Sequence, residues 1–276
     1  MSRERLEQRF AALEAEGRAA FVAYVMAGDP DAETALQILQ GLPAAGADVI
    51  ELGFPFSDPM ADGPAIQRAS QRALNGGMTL QGTLELARRF RERDRATPLV
   101  LMGYLNPLET WGLERFAQEA AAAGIDGIIV VDCPPEESAP LDAALATAGI
   151  SRIWLATPTT DDQRLKTVLR GASGFVYYVS VTGVTGVKEA DASAVAPHVA
   201  RIKAATRLPV AVGFGIKTPE RAAAVARVAD AVVVGSALVE EIAGALTRNE
   251  SPVPQVLQVA RSLAQAVRGA RVTAGV

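Results

Sequence analysis

Glu51 and Asp62 are the residues with which this sequence most clearly offers chemistry. Val49, Ile50 and Leu52 form a short apolar run of the kind that becomes a buried strand, and Glu51 sets a carboxylate in the middle of it. Burying an ionised acid without a partner costs more than one strand position returns, so such a group shifts its pKa, finds a partner or works on a substrate. Past it the chain turns through Gly53, Pro55 and Pro59 and delivers a second acid, Asp62, immediately before Gly63. Two carboxylates near the end of one strand are equipment for proton transfer.

Composition removes several other chemistries. One His and one Cys among 276 residues exclude most zinc sites and any internal disulfide framework. A net charge of -4 points to neither nucleic acid nor an anionic membrane. The segment Met1 to Arg9 is charged and lacks the apolar core of a signal peptide, and no apolar run approaches the roughly 18 residues of a membrane span, so a cytoplasmic protein is expected.

The elements that must position the two acids follow a repeating plan. Ser2 to Ala15 reads as an amphipathic helix with Leu6, Phe10 and Leu13 on one face, packing as a lid on a larger body. Ala20 to Ala27 is a strand-like run, after which Asp29-Pro30 is read as an N-cap with proline opening a helix that carries Ala35, Ile38, Leu39 and Leu42. The unit recurs with a shared signature: P-A-A-G-A-D, A-A-A-G-I-D and A-T-A-G-I-S precede the strands at Val49, Ile128 and Ile153, with Gly46, Gly124 and Gly149 placed to end helices in the left-handed conformation. Counting Ala20, Val49, Leu99, Ile128, Ile153, Phe175, Val210 and Ala231 as strand starts gives about eight βα units in a chain close to the roughly 250 residues of a TIM barrel. The competing doubly wound sheet is disfavoured because no Gly-rich dinucleotide fingerprint follows the first strand. The expected fold is therefore an α/β (β/α)8 TIM barrel with an extra N-terminal helix, one domain over residues 1–276, with an apolar helix Val256 to Val267 and a frayed tail from Gly269 to Val276.

In such a barrel the site forms at the C-terminal ends of the strands, a filter that Glu51, Asp62, Tyr104, Asp132, Tyr177, Thr185 and Ser236 pass. His198 falls within the predicted helix Ala192 to Ala205 and reads as a surface or packing residue, and Cys133 as an inert small hydrophobe. Glycines cluster after three late strands: Gly183 and Gly186, Gly213 and Gly215, then Gly235 with Ser236. They let the backbone approach an anion, and a helix starting near Ser236 would aim its N–H groups at the same point, so a phosphate site is expected there; tight turns are the plainer alternative. Lys166, Lys188, Lys203 and Lys217 all lie in predicted helices or loops, which disfavours a Schiff-base aldolase. What remains is proton transfer by carboxylates on a phosphorylated small molecule, with apolar walls from Phe21, Tyr104, Ile129 and Phe214, although Phe21 reads better as core filling.

The run E-L-G-F-P-F-S-D-P-M-A-D-G-P-A-I-Q, from Glu51 to Gln67, resembles the signature of the tryptophan synthase alpha chain family almost letter for letter. The likeness spans nearly the whole chain: F-V-A-Y-V-M-A-G-D-P, L-M-G-Y-L-N-P, V-V-D-C-P-P-E-E-S, S-V-T-G-V-T-G and G-F-G-I-K-T-P-E belong to it. It departs at Val181, where some members carry arginine, and at Ala23, where many carry proline.

The resemblance implies a lyase that cleaves indole-3-glycerol phosphate to indole and glyceraldehyde 3-phosphate. It implies Glu51 as general acid/base, Asp62 as the second catalytic carboxylate and Tyr177 as the active-site tyrosine. Thr185 matches the threonine of a mobile loop, Gly186, Gly215, Gly235 and Ser236 match phosphate-binding positions, and Phe214 and Ile129 match pocket walls. It further implies a beta chain as partner in an alpha2-beta2 assembly, with pyridoxal phosphate expected only in that beta chain and no cofactor or metal in this one. Segments 54–62 and 183–191 resemble the family's interface-coupled loops, with Asp58 on the beta-facing side. Two other readings remain: a catalytically silent barrel that regulates the beta chain, and another phosphate-binding barrel enzyme such as a sugar-phosphate epimerase, which usually recruits metal ligands that this sequence lacks.

Overall fold

The computed structural model describes residues 2–180, 192–213 and 215–271. Among them, nine short parallel strands form one sheet: β1 (Ala20–Met26), β2 (Val49–Gly53), β3 (Leu99–Gly103), β4 (Gly127–Val130), β5 (Ser151–Arg152), β6 (Trp154–Ala156), β7 (Val176–Val179), β8 (Val210–Gly213) and β9 (Ala231–Val234). Their order is β5-β4-β3-β2-β1-β9-β8-β7-β6, and the two ends of that order, β5 and β6, are separated in the chain by Ile153 alone. The sheet therefore closes through a covalent link, helped by the Ile153 N–H, which donates to the Ile128 carbonyl at 3.0 Å. Helices connect the strands and surround them, as a parallel sheet buried on both faces requires.

The single fifth strand expected at Ile153 is thus two. Ser151 and Arg152 stay in register with Gly127 and Ile128 of β4, while Trp154 to Ala156 change partner to Val176 to Tyr178 of β7.

Alternation along each strand divides two apolar layers. Ala20, Val22, Val49, Val100, Ile129, Phe175, Ala211 and Ala231 point into the barrel and are buried against one another. Phe21, Ala23, Ile50, Leu52, Leu99 and Leu101 point outward into the larger layer beneath the helices. The N-terminal helix Ser2–Ala15 closes the lower end of the barrel: Leu6, Phe10 and Leu13 join the interior layer, and the Phe10 ring lies 5.6 Å from that of Phe175. Arg5 pairs with Asp126 and Arg9 with Asp48, fixing the plug electrostatically as well as by packing.

Those two acids explain the G-A-D and G-I-D signatures. Asp48 Oδ2 accepts the Phe21 N–H at 2.9 Å and Asp126 Oδ2 accepts the Leu99 N–H at 2.8 Å, so each acid at the foot of one strand satisfies an amide at the foot of its neighbour. Asp230 does the same for Val210 at 2.9 Å. Gly46, Gly124 and Gly149 all have positive φ, as expected for the helix-ending turns before these strands.

Two helix boundaries differ from expectation. The cap of Ala32–Gly41 is Asp31, whose Oδ1 accepts from the Glu33 and Thr34 N–H groups, because the carboxylate of Asp29 is taken by Arg72 at 2.7 and 2.8 Å. The last helix runs Pro252–Gly269, starting earlier than Val256, since Pro252 sits at a first-turn position where no N–H is needed. Beyond it Arg271 Nε donates to the Ala226 carbonyl at 2.8 Å, so the chain is still anchored past Gly269; residues 272–276 lie outside the described ones. Among the described residues no helix is long and apolar enough to cross a membrane.

Candidate active site

The inward row of β2 runs Val49, Glu51, Gly53, so the same alternation that buries Val49 lifts Glu51 to the upper end of the barrel interior. Glu51 is 1% exposed, and its Oε2 has no hydrogen-bond partner among the described residues. It lines a cavity at the C-terminal ends of the strands together with Asp62, Tyr24 and Tyr177. Burial first, and then the charge of Asp62, push its carboxyl up to about 8.

Asp62 arrives on the loop that leaves β2, just before Gly63 and the helix Pro64–Asn75. That loop is held at several points. Ser70 Oγ accepts the Phe56 N–H at 3.0 Å and donates to the Phe56 carbonyl at 2.9 Å, and Gln67 Nε2 donates to the Asp62 carbonyl at 2.9 Å. Tyr104, at the end of β3, stacks on Phe56 with ring centroids 5.0 Å apart. Its hydroxyl accepts the Ala61 N–H at 3.0 Å and donates to Asp62 Oδ2 at 3.1 Å. Burial raises Asp62 to about 6, and the hydrogen bond from Tyr104 opposes that rise. Two carboxyls in one cavity are thereby set to different proton affinities, the arrangement that separates an acid from a standing anion.

The other end of the cavity is built from backbone. Gly215, at φ +74, and Gly235 with Ser236 line it, and Gly235 caps the helix Ser236–Thr247, whose N-terminus therefore faces the space that Glu51 also faces. An anion is the natural occupant of that end.

Glu51, Asp62, Tyr177, Gly215, Gly235 and Ser236 are thus brought together around one cavity. Tyr104 stands one step behind, acting on Asp62. Two expected wall residues are elsewhere. Phe21 faces the helices and is fully buried there, because it lies on the outward parity of β1, and Ile129 points inward but sits in the packed barrel interior away from the cavity lining. Asp58 is exposed on the loop, beside Ser57. Thr185, Gly186 and Phe214, and the segment 183–191, lie outside the described residues. Asp132 accepts the Leu105 N–H at 2.8 Å and so braces the helix Leu105–Trp111. Burial raises the Cys133 thiol, and His198 packs on Tyr178 at 5.4 Å. Among the described residues no cluster of His, Cys, Asp and Glu is arranged to hold a metal. The lining residues missed in the sequence are Tyr24, Gly63, Ile66, Met102, Ile216 and Val233. Tyr24 could have been found: it lies three positions after Phe21 in β1, and an odd separation in a strand means the opposite face.

The family model of the tryptophan synthase alpha chain matches residues 10–268. The chain belongs to that family. It is 70% identical over 271 residues to the tryptophan synthase alpha chain of Phenylobacterium zucineum (strain HLK1), covering 98% of each chain. Its fold superposes on the crystal structure of tryptophan synthase subunit alpha from Legionella pneumophila str. Paris with a TM-score of 0.90 at 41% identity, over 95% of this chain and 98% of that one. It superposes on a chain of Mycobacterium tuberculosis tryptophan synthase with a TM-score of 0.87 at 37% identity, over 96% and 98% of the two chains. As a member of the tryptophan synthase alpha chain family it is a lyase of tryptophan biosynthesis that cleaves indole-3-glycerol phosphate, and membership of that family implies a beta chain as partner.

Proposed function

We propose that Glu51 is the proton-transfer group of this cleavage and Asp62 the anion that stabilises positive charge on the indole nitrogen. The observation that carries this is the pairing of a buried and a half-buried carboxyl of different proton affinity in one cavity whose other end is a helix N-terminus. The phosphate is assigned to Gly215, Gly235 and Ser236, where helix N–H groups and close backbone approach favour an anion, and to Gly186 by the family resemblance alone. With the phosphate fixed there, the glycerol chain runs toward Glu51 and the indole ring toward Asp62.

Protonated Glu51 donates to C3 of the indole, and the ring becomes an iminium that serves as electron sink. The bond from C3 to the glycerol carbon then breaks, its electron pair restoring the aromatic ring. The hydroxyl on that carbon becomes the aldehyde of glyceraldehyde 3-phosphate, and its proton returns to Glu51, so the acid is regenerated. Asp62 remains ionised throughout and offsets the charge that develops on the indole N–H. Tyr177 walls the reacting centre, and Thr185 and Phe214 complete the site as the family resemblance assigns them.

The finer assembly belongs to the same reading: an alpha2-beta2 complex in the cytoplasm, pyridoxal phosphate held by the beta chain, Asp58 facing that partner, and residues 1–276 as one barrel domain. The test is Glu51→Gln, assayed as indole release with beta chain present and its serine co-substrate left out. Turnover is expected to disappear while a substrate analogue still binds; substantial residual cleavage would refute the role of Glu51.

A further inference from the structure

Tyr24 has no role in the mechanism above, yet its position is closely specified. In the parallel pair of β1 and β2 its Cα partner is Glu51, so the two side chains rise side by side from neighbouring strands. The phenol then leans along β2 toward the barrel mouth. A side-chain carbon on Gly53, two residues beyond Glu51 on the same face, would lie 2.3 Å from the Tyr24 hydroxyl and 2.8 Å from its Cζ. The tip of Tyr24 therefore occupies the place of the side chain that Gly53 lacks. On its other flank the root of the ring lies against Gly235, where an added Cβ would meet it at 3.1 to 3.3 Å. Glycines at or just past the ends of both neighbouring strands thus make room for one aromatic ring, and that ring crosses the column above Glu51.

We propose that the Tyr24 ring is a positioning residue that covers Glu51 on its mouth side, seated in the slot left by Gly53, and so keeps water from the proton-transfer group. The proposal rests on Glu51 being that group. The titratable groups facing Glu51 from the surrounding elements are Tyr24 on β1, Tyr177 on β7 and Asp62 on the loop after β2; β3 and β9 contribute Met102 and Val233, which do not titrate. Tyr24 is 5% exposed and Tyr177 is 7% exposed, so the cover is largely aromatic. Removing one of its two rings admits water to a carboxyl whose proton affinity is set mainly by burial.

Three variants of the full chain, assayed with beta chain present and serine omitted, test this through the pH dependence of kcat/KM. Protonated Glu51 is the reactive form, so activity falls as pH rises through its pKa. Hydrating Glu51 lowers that pKa and moves the alkaline limb to lower pH. Tyr24→Leu, which cannot reach Gly53, and Gly53→Ala, which displaces the phenol without removing an atom from it, are both expected to lower the limb by about one pH unit or more. Tyr24→Phe keeps the ring in the slot and is expected to keep the limb where it is, whatever its rate. A loss of rate at every pH with an unmoved limb in folded Tyr24→Leu and Gly53→Ala overturns the proposal, because that is the signature of a merely structural residue. A limb that moves as far in Tyr24→Phe as in Tyr24→Leu also overturns it, by assigning the effect to the hydroxyl. Failure of the underlying reading looks different: Glu51→Gln would then still turn over.

Discussion

Replacing Tyr104 with phenylalanine removes one oxygen that does two jobs, donating to Asp62 Oδ2 at 3.1 Å and accepting the Ala61 N–H at 3.0 Å. The ring remains, so the stack on Phe56 and the packing of β3 are kept. A hydrogen bond to a charged group is worth about 1.5 to 3 kcal/mol, and about 1.4 kcal/mol corresponds to one pKa unit. Asp62 is partly open to the cavity, so the lower figure applies, and its pKa is expected to rise by about one unit. The starting value is about 6. Asp62 must be ionised to act, so a higher pKa moves the acid limb of the pH profile upward. Near pH 7 the ionised fraction falls from about nine tenths to about half, and near pH 6 from about half to about a tenth. The expected loss in kcat/KM is therefore about twofold near neutrality and about fivefold one unit lower, while the alkaline limb, set by Glu51 at about 8, stays in place. Indole release measured across that range reads both limbs in one series. A loss that is the same at every pH, or an acid limb that does not move, refutes the claim that Tyr104 acts through the charge of Asp62.

Ser236→Asp places a carboxylate at the N-terminus of the helix Ser236–Thr247, where it competes with the phosphate. KM is expected to rise by about tenfold or more with little loss of stability, since an acid at that end stabilises the helix by about 0.3 to 1 kcal/mol; inhibition by inorganic phosphate should weaken in parallel, and an unchanged KM would remove the phosphate from this end. Gly103→Ala tests packing alone: the added Cβ would lie 2.2 Å from Cζ of the buried Phe54 ring, which cannot yield cheaply. Destabilisation of about 1 to 3 kcal/mol is expected from the urea midpoint, against little change for Gly269→Ala, where an added Cβ meets nothing within 4 Å.

What the sequence disclosed and what it withheld divide along physical lines. Glu51 was legible because its type conflicts with its neighbours, and a charge in an apolar strand announces either a partner or a function. The strands were legible as apolar runs, and Asp62 followed from Glu51 through the turn residues between them. The split at Ile153 was not, because I-W-L-A is continuous as a pattern and the change of partner is decided by closure of the barrel. The D-P-D segment offers two acids for one cap, and only the tertiary position of Arg72 decides that Asp29 is taken and Asp31 is left to cap. Ile129 points inward, but height along the barrel axis, which separates wall from packed interior, leaves no mark in a four-residue strand.

The glycines make the same point about residue type and position. By type they suggested close approach of backbone to an anion, and Gly215 and Gly235 do line the end of the cavity beside the helix N-terminus. At strand ends they also make room for rings. Gly53 receives Tyr24, Gly103 receives Phe54 and Gly213 receives Tyr177, each at a separation that no side chain on the glycine could share. Gly213, which the sequence grouped with the phosphate glycines, therefore serves the aromatic side of the site: its missing side chain is where the Tyr177 hydroxyl lies, 2.1 Å from the position an added Cβ would take. Both uses depend on an absent Cβ, and Gly235 is placed for both, lining the cavity beside the helix N-terminus while leaving room for the root of the Tyr24 ring. At the other end two phenols lie beside an acid, their tips in the spaces left by Gly53 and Gly213. On the proposed reading the same residue type serves a backbone-lined end for phosphate and an aromatic end for proton transfer. A cleavage that must hold a charged tail while moving a proton in a desolvated centre needs both.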